Sequence, residues 1–331
     1  MTDAPLGLGS VISAERARES QQSMRACLRE VATRGTTVWT AGLVQVLPVL
    51  VEVARIDLCL ARLVEGHADG LRIIDQANGR PRDGVYAVWA SRSAGTGVKA
   101  ADFDGGWRLD GELRFASGVG LVDRALVPVW LDREHHLLLD LPANIGEPDL
   151  DSWKTCAMDA ARSFDLRVDS EAPASSQLGP ANFYLQRPGF VLGGLCVAAV
   201  WVGGARHVVD VVTTSVRPFS LTRHQQRRIG VMEQAAWQAQ TVLEAVAGRI
   251  ATSSEAAVAR EVALARTAAV LACEAVIDEA GRVVGPAGLG HNLRLTRVVH
   301  DLAIYIRQHQ LDTELERLGE HAVADREGPA G

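Results

Sequence analysis

The spacing of apolar side chains changes twice along the chain. From Leu43 to Asp75 the run LVQVLPVLVEVARIDLCLARLVEGHADGLRIID brings Leu50, Val53, Ala54, Leu58, Ala61 and Leu71 near one face at three- and four-residue intervals, the period of a helix. Within it Glu65-Gly66-His67 reads as the close of a helical segment, because glycine is the ordinary C-terminal stop. The helical period ends at Asn78-Gly79 and Pro81, where turn residues take over.

Short runs of Val, Leu and aromatic residues follow: GVYAVWAS, GWRLDGELRFASG, RALVPVWLD, HHLLLDLP and SFDLRVDS. They are broken by Asp-Gly-Gly at 104–106 and by Asp-Gly at 110–111, which predicts antiparallel strands with turns at those points. From about Phe190 the helical period returns in GARHVVDVVTTSV, HQQRRIGVMEQAAWQAQTVLEAVAGRI, SSEAAVAREVALARTAAVLACEAVIDEA and LTRVVHDLAIYIRQH, four long helices that make a bundle. The expected organisation is α+β: a short N-terminal helical domain over 1–84, a middle β domain over 85–172 and a C-terminal four-helix bundle over 173–331. This order suits a cofactor lodged between a β domain and helices, although architecture alone leaves function open.

Composition narrows the field. A chain of 331 residues buries roughly 75% of its unfolded surface, so stability needs no metal or disulfide staple. A net charge of −6 argues against a nucleic-acid scaffold, and any anionic ligand must be met by local arginines. Cys27, Cys59, Cys156, Cys196 and Cys273 lie far apart with no C-x-x-C pair, which predicts reduced thiols and a cytoplasmic protein. MTDAPLGLGSVISAERARES carries no export signal. FVLGGLCVAAVWVGGA, Phe190 to Ala205, is uncharged for sixteen residues but short of the roughly 20 that a bilayer needs, and reads as a buried core helix. Glu134-His135-His136 lacks a third metal ligand and reads as a solvated hairpin turn. GTGVKAADFDGG does not stand between a strand and a helix, so it is no phosphate loop.

Two stretches suggest chemistry. In GWRLDGELRFASGVGLVDRALVPV, Phe115 and Ser117 are two apart on an expected strand, and an aromatic and a hydroxyl on one face give a flat ring both a cover and a hydrogen-bond partner. The plainer reading makes Phe115 core and Ser117 a turn residue. Together with AVWASRSAGTGVKA, this hairpin resembles the middle domain of the flavin-dependent acyl-CoA dehydrogenases. That family has a T-E-P-x-x-G-S loop followed by a G-x-K-x-W-I-[ST] strand, both against the FAD ring. Gly106-Trp107-Arg108-Leu109-Asp110-Gly111 matches the strand's entry, with Phe115 at the family's Trp and Ser117 at its Ser or Thr; the T-E-P triplet is replaced by Ala90-Ser91-Arg92.

The resemblance covers 50–320 and extends to the last helices. Gly285-Pro286-Ala287-Gly288 stands at the family's glycine turn and His300-Asp301 at its R-D pair, so His309 falls where the family carries the Glu that removes the substrate's α-proton. The family's other base position falls near Gly193 and Gly194, and no carboxylate occurs between Phe190 and Asp210. The R-x-Q-F-G segment is reduced to Arg217-Pro218-Phe219, and the N-terminal helical domain is shorter than usual.

The resemblance implies FAD, held by Trp89, Ser91, Thr96, Phe115, Ser117, Arg217, Gly285 and Gly288. Arg217 and the glycine turn would reach the flavin of a neighbouring subunit in a homodimer or homotetramer. The implied reaction is α,β-oxidation of an acyl-CoA or related thioester, with an electron-transfer partner as acceptor. A flavin monooxygenase or oxidase, and a non-catalytic paralogue, are the alternatives on the same fold. An imidazole titrating near 6.5 is chemically able to serve as the base, while a histidine in this setting is also commonly a solvated one.

Overall fold

Two serines start the helical part of the chain. Ser13 caps α1 (Ala14–Arg18) and Ser20 caps α2 (Gln21–Arg34), each side-chain oxygen accepting a backbone N–H that the first turn leaves without a partner. The computed structural model describes residues 12–92, 95–217, 220–250 and 255–327, together with Leu6 and Leu8. The apolar run beginning at Leu43 forms two helices, α3 (Leu43–Ile56) and α4 (Leu58–Gln76). The chain makes two compact units, one of Met1–Gly42 with Cys59–Phe190 and one of Leu43–Leu58 with Val191–Gly331.

In the first unit α4 runs through Gly66 without stopping. A Cβ on Gly66 would lie 4.0 Å from the Ala87 Cα, and one on Gly70 would lie 3.0 Å from the Tyr86 Cβ. Gly70 therefore lets the helix lie close on a strand, while Gly66 would meet it only at ordinary contact distance; His67 between the two glycines is buried, its Nδ1 accepting the Tyr86 N–H at 3.2 Å. Ile73 and Ile74 of α4 form the core here with Tyr86, Leu126, Leu138 and Tyr184.

The strands are β1 (Tyr86–Val88), β2 (Gly97–Phe103), β3 (Gly106–Ala116), β4 (Arg124–Trp130), β5 (His136–Pro142), β6 (Gly146–Asp149), β7 (Phe164–Pro173) and β8 (Gln177–Leu178). They form one sheet in the order β6-β7-β3-β2-β4-β5-β8, with β1 beside β4. The sheet is mixed where the sequence suggests an antiparallel one. β4 pairs in parallel first with β1, Val88 opposite Leu126, and then with β2, Val98 opposite Val129. Between these two pairings residues 89–92 leave the sheet and build one wall of the pocket described below. Asp104 and Gly105, both at positive φ, make the expected turn from β2 into β3. Asp110-Gly111 makes none. Gly111, at φ +151°, lies mid-strand because a side chain there would overlap the Gly97 carbonyl on β2.

A single-turn helix, α5 (Phe183–Gln186), completes the first unit. The second unit contains α3, α6 (Gly193–Ser215), α7 (Arg223–Arg249), α8 (Glu255–His291), α9 (Leu293–Tyr305) and α10 (Leu311–Glu327). The four helices expected of a bundle are present, with α3 packed on α6 and α10 on α8. By length and composition α6 could cross a membrane, but 83% of its most apolar window is buried inside the protein, as a core helix requires. Gly203 on α6 lets α3 approach closely: a Cβ there would lie 2.5 Å from the Ala54 Cβ and 2.6 Å from the Val51 carbonyl oxygen.

Candidate active site

A pocket of about 200 Å³ opens where the chain leaves β1. Trp89, Ala90, Ser91 and Arg92 line it, with Gly97 and Leu113 from β2 and β3, Pro128 and Trp130 from β4, and Tyr184 and Leu185 from α5. Trp89 is fixed at both ends. Its backbone N–H donates to the Leu126 carbonyl at 2.9 Å, and its indole N–H to the Ser117 carbonyl at 2.9 Å. The Arg92 guanidinium lies 3.7 Å above the centre of the Trp130 ring, and the Trp130 and His136 rings are 4.9 Å apart. Aromatic and aliphatic walls with a serine and an arginine among them fit one flat conjugated ring that carries a polar edge. Complete small-molecule sites span roughly 300–1,000 Å³, so this slot suits the ring of a cofactor and not a whole dinucleotide.

Of the residues expected to hold flavin, Trp89 and Ser91 line this pocket. Thr96 is half-buried just before Gly97 and is not part of the lining. Phe115 and Ser117 do not share a strand face. The β3–β7 register shifts between Leu113 and Ala116, and Phe115 sits in the bulge at φ +57° with 46% of its surface exposed and its ring edge-on to Trp153. One left-handed residue breaks the two-residue alternation on which the shared face depended. Ser117 lies just past the strand, buried, with its Oγ 2.8 Å from the Ser163 Oγ. Trp130 and Tyr184 are pocket residues that the sequence did not single out, since they come from distant elements; Arg92 stood out only as a departure from a motif.

Glu134-His135-His136 is not a solvated turn throughout. His135 is exposed and its Nδ1 meets Asp132 Oδ2 at 2.7 Å, which raises its pKa, but His136 begins β5 and is buried, with its pKa lowered by burial and then by Arg92. Among the described residues no group of three metal-ligating side chains occurs.

The second unit holds the other predicted residues. His309 follows a 3-10 turn (Ile306–Gln308) between α9 and α10 and is 7% exposed, so it is not a solvated histidine. Its Nε2 is 3.3 Å from the Thr267 hydroxyl and its ring centre 6.0 Å from that of Trp201. Burial, reinforced by Arg266, lowers its pKa, so the ring is neutral at pH 7. Arg266 also donates to the Gly194 carbonyl at 3.1 Å, and a Cβ on Gly194 would stand 2.9 Å from the same nitrogen. Gly285, at φ +64° and ψ −173°, interrupts α8 ahead of Pro286 and makes the glycine turn; a side chain on Gly288 would overlap Val284. Arg217 is exposed beyond the end of α6, and Pro218 and Phe219 lie outside the described residues.

No protein-family profile and no curated protein matches the sequence at a significant level. Solved structures do match. Butyryl-CoA dehydrogenase from Megasphaera elsdenii superposes with a TM-score of 0.78 at 15% identity, covering 97% of this chain and 96% of its own. The chain has the acyl-CoA dehydrogenase fold. Dibenzothiophene monooxygenase from Paenibacillus sp. A11-2 matches equally well, with a TM-score of 0.78 at 15% identity over 96% of this chain and 95% of its own. Methanesulfinate monooxygenase from Pseudomonas fluorescens does so at 0.78 and 17% identity over 97% and 95%. The fold thus houses a dehydrogenase and monooxygenases alike, and fold alone does not choose between them.

Proposed function

We propose that the protein is a flavin-dependent monooxygenase acting on a small organic substrate. The observation that carries this reading is the lack of a carboxylate at both positions where a dehydrogenase of this fold carries its base. Gly193 and Gly194 carry no side chain, and His309 is a buried imidazole with lowered proton affinity. A flavin held here would supply, once reduced, the two electrons with which dioxygen chemistry places one oxygen atom in a substrate and the other in water. Trp89 and Trp130 would hold the ring, Ser91 would meet its polar edge, and the apolar walls would keep bulk water away. Oxygen chemistry needs no side chain to take a carbon-bound proton. Two of the similar structures are monooxygenases, and the dibenzothiophene enzyme is also known as an FMN complex, so FMN stands beside FAD as the flavin.

One observation favours dehydrogenation of an acyl thioester: His309, neutral at pH 7, can accept a proton. A single pair of assays separates the two. Protein loaded with FAD or FMN is mixed anaerobically with butyryl-CoA, and separately supplied with reduced flavin in air. Oxygen uptake without bleaching by the thioester is expected; rapid bleaching, lost in His309→Ala, would overturn the monooxygenase. The buried cysteines Cys27, Cys59, Cys196 and Cys273 support a cytoplasmic setting. The positive-φ turn at Gly285 and the exposed Arg217 support a homo-oligomer in which they serve a neighbour's flavin, a reading that a monomer in light scattering with flavin tightly bound would refute.

A further inference from the structure

We infer that Arg92 is the anion receptor of the aromatic pocket, taking a phosphate group carried by the molecule whose ring fills the slot. A guanidinium held by its face against an indole keeps its N–H donors free around its edge, ready for two-pronged recognition of phosphate. That is the arrangement at Arg92, 3.7 Å above Trp130. Other arginines of this sheet are committed elsewhere: Arg108 pairs with Asp169 and Glu171, Arg114 with Asp165, Arg124 with Asp140 and Arg167 with Asp110. Arg92 has no ion pair and no side-chain hydrogen bond among the described residues, yet it is held in place at the pocket.

Its surroundings favour an anion. Lys99 is in register with Trp130 across the β2–β4 pairing and so projects from the same face of the sheet. The carboxylate opposite Lys99, on Asp110, is 3.0 Å from Arg167 and thereby offset. Gly97 puts no side chain beside Trp130 and the Arg92 stem, where a Cβ would fill the contact distance, 3.5 Å from the indole Cδ1 and 4.0 Å from the Arg92 Cγ. Glu112, opposite Gly97, stands 4.0 Å from Arg114, so the cations of this rim without an ion pair among the described residues are Arg92 and Lys99. The phosphate has two possible sources, the flavin's own side chain or the substrate. The first source rests on the flavin reading above; the second does not.

The test compares FMN with riboflavin, which share the ring and differ by the phosphate, using the parent protein, Arg92→Ala and Arg92→Lys. Arg92 is exposed and makes no ion pair, so its variants are expected to melt as the parent does. If the phosphate is the flavin's, the parent binds FMN at least about tenfold more tightly than riboflavin, about 1.4 kcal/mol. Arg92→Ala then erases that preference without weakening riboflavin, and Arg92→Lys, which keeps charge but loses the fork, restores only part. If it is the substrate's, the FMN preference survives in Arg92→Ala, but broadening of the inorganic phosphate resonance by the flavin-loaded parent is lost in the variant. A parent that binds no flavin would remove the flavin reading while leaving the phosphate measurement on the unloaded protein to decide Arg92. Unchanged FMN preference together with unchanged phosphate binding in Arg92→Ala overturns the inference.

Discussion

The Trp89 indole donates to the main-chain carbonyl of Ser117 across the pocket wall, at 2.9 Å, and neither residue is open to solvent. The bond ties the segment leaving β1 to the end of β3, so the aromatic wall is held by an acceptor that has nothing to do with a ligand. Trp89→Phe keeps an aromatic but leaves a buried carbonyl without its donor, which costs about 1–3 kcal/mol. The expected result is a lower urea midpoint together with weaker flavin binding. A variant as stable as the parent would show that the carbonyl finds another donor.

Two glycines on different helices should respond to alanine with opposite sign. Gly203 faces Ala54 and Val51 at distances no real Cβ tolerates, so Gly203→Ala forces α3 away from α6 and should lower stability by about 1–3 kcal/mol. Gly230, exposed on α7 with nothing within 4 Å of an added Cβ, gains only helix propensity, and Gly230→Ala should raise stability by about 0.5–1 kcal/mol. Thermal melts of the two variants measure both. A Gly203→Ala protein that melts with the parent would mean that the helices slide apart freely.

Acid should destabilise each unit through one buried histidine. Burial lowers the pKa of His67 from 6.5 to about 4 against the opposing pull of Asp123. Burial, with Arg294 adding to it, does the same to His207, also to about 4. The unfolded chain then binds protons more readily than the folded one. Stability is therefore complete above pH 6.5 and falls as the pH drops toward 4, by about 3 kcal/mol for each histidine. His67→Gln, which keeps an acceptor for the Tyr86 N–H, should flatten the dependence of unfolding free energy on pH across that window. An unchanged slope would place the acid sensitivity elsewhere.

How far the sequence could be read depended on whether a feature was local. Asp104-Gly105 turns the chain because two successive residues take positive φ, and those residue types announce it. Asp110-Gly111 looks the same on paper, but its glycine answers to the Gly97 carbonyl on the neighbouring strand, which no local pattern contains. Gly66 misleads too, since α4 runs on through it to Gln76. Trp89 and Ser91 were legible through a motif, whereas Trp130 and Tyr184 join them only once β4 and α5 are in place. His309 could be located but its burial could not, because Trp201 and Thr267, which cover it, belong to other helices.

The division of the chain has a consequence for how the protein is made. Helix α3 is synthesised early, yet its buried partners, Gly203 among them, emerge only with α6. Until then Val46, Leu47, Val49, Leu50 and Val53, all buried in the finished molecule, stand in water on a nascent chain whose sheet is still being assembled. Such an exposed apolar helix is what general chaperones capture and what drives aggregation in their absence. Pairings this remote in sequence also slow folding, because loop closure precedes the reward of contact. A fragment ending at Phe190 would carry that sticky helix permanently, so trimming this protein to its sheet-bearing half would require excising α3 as well.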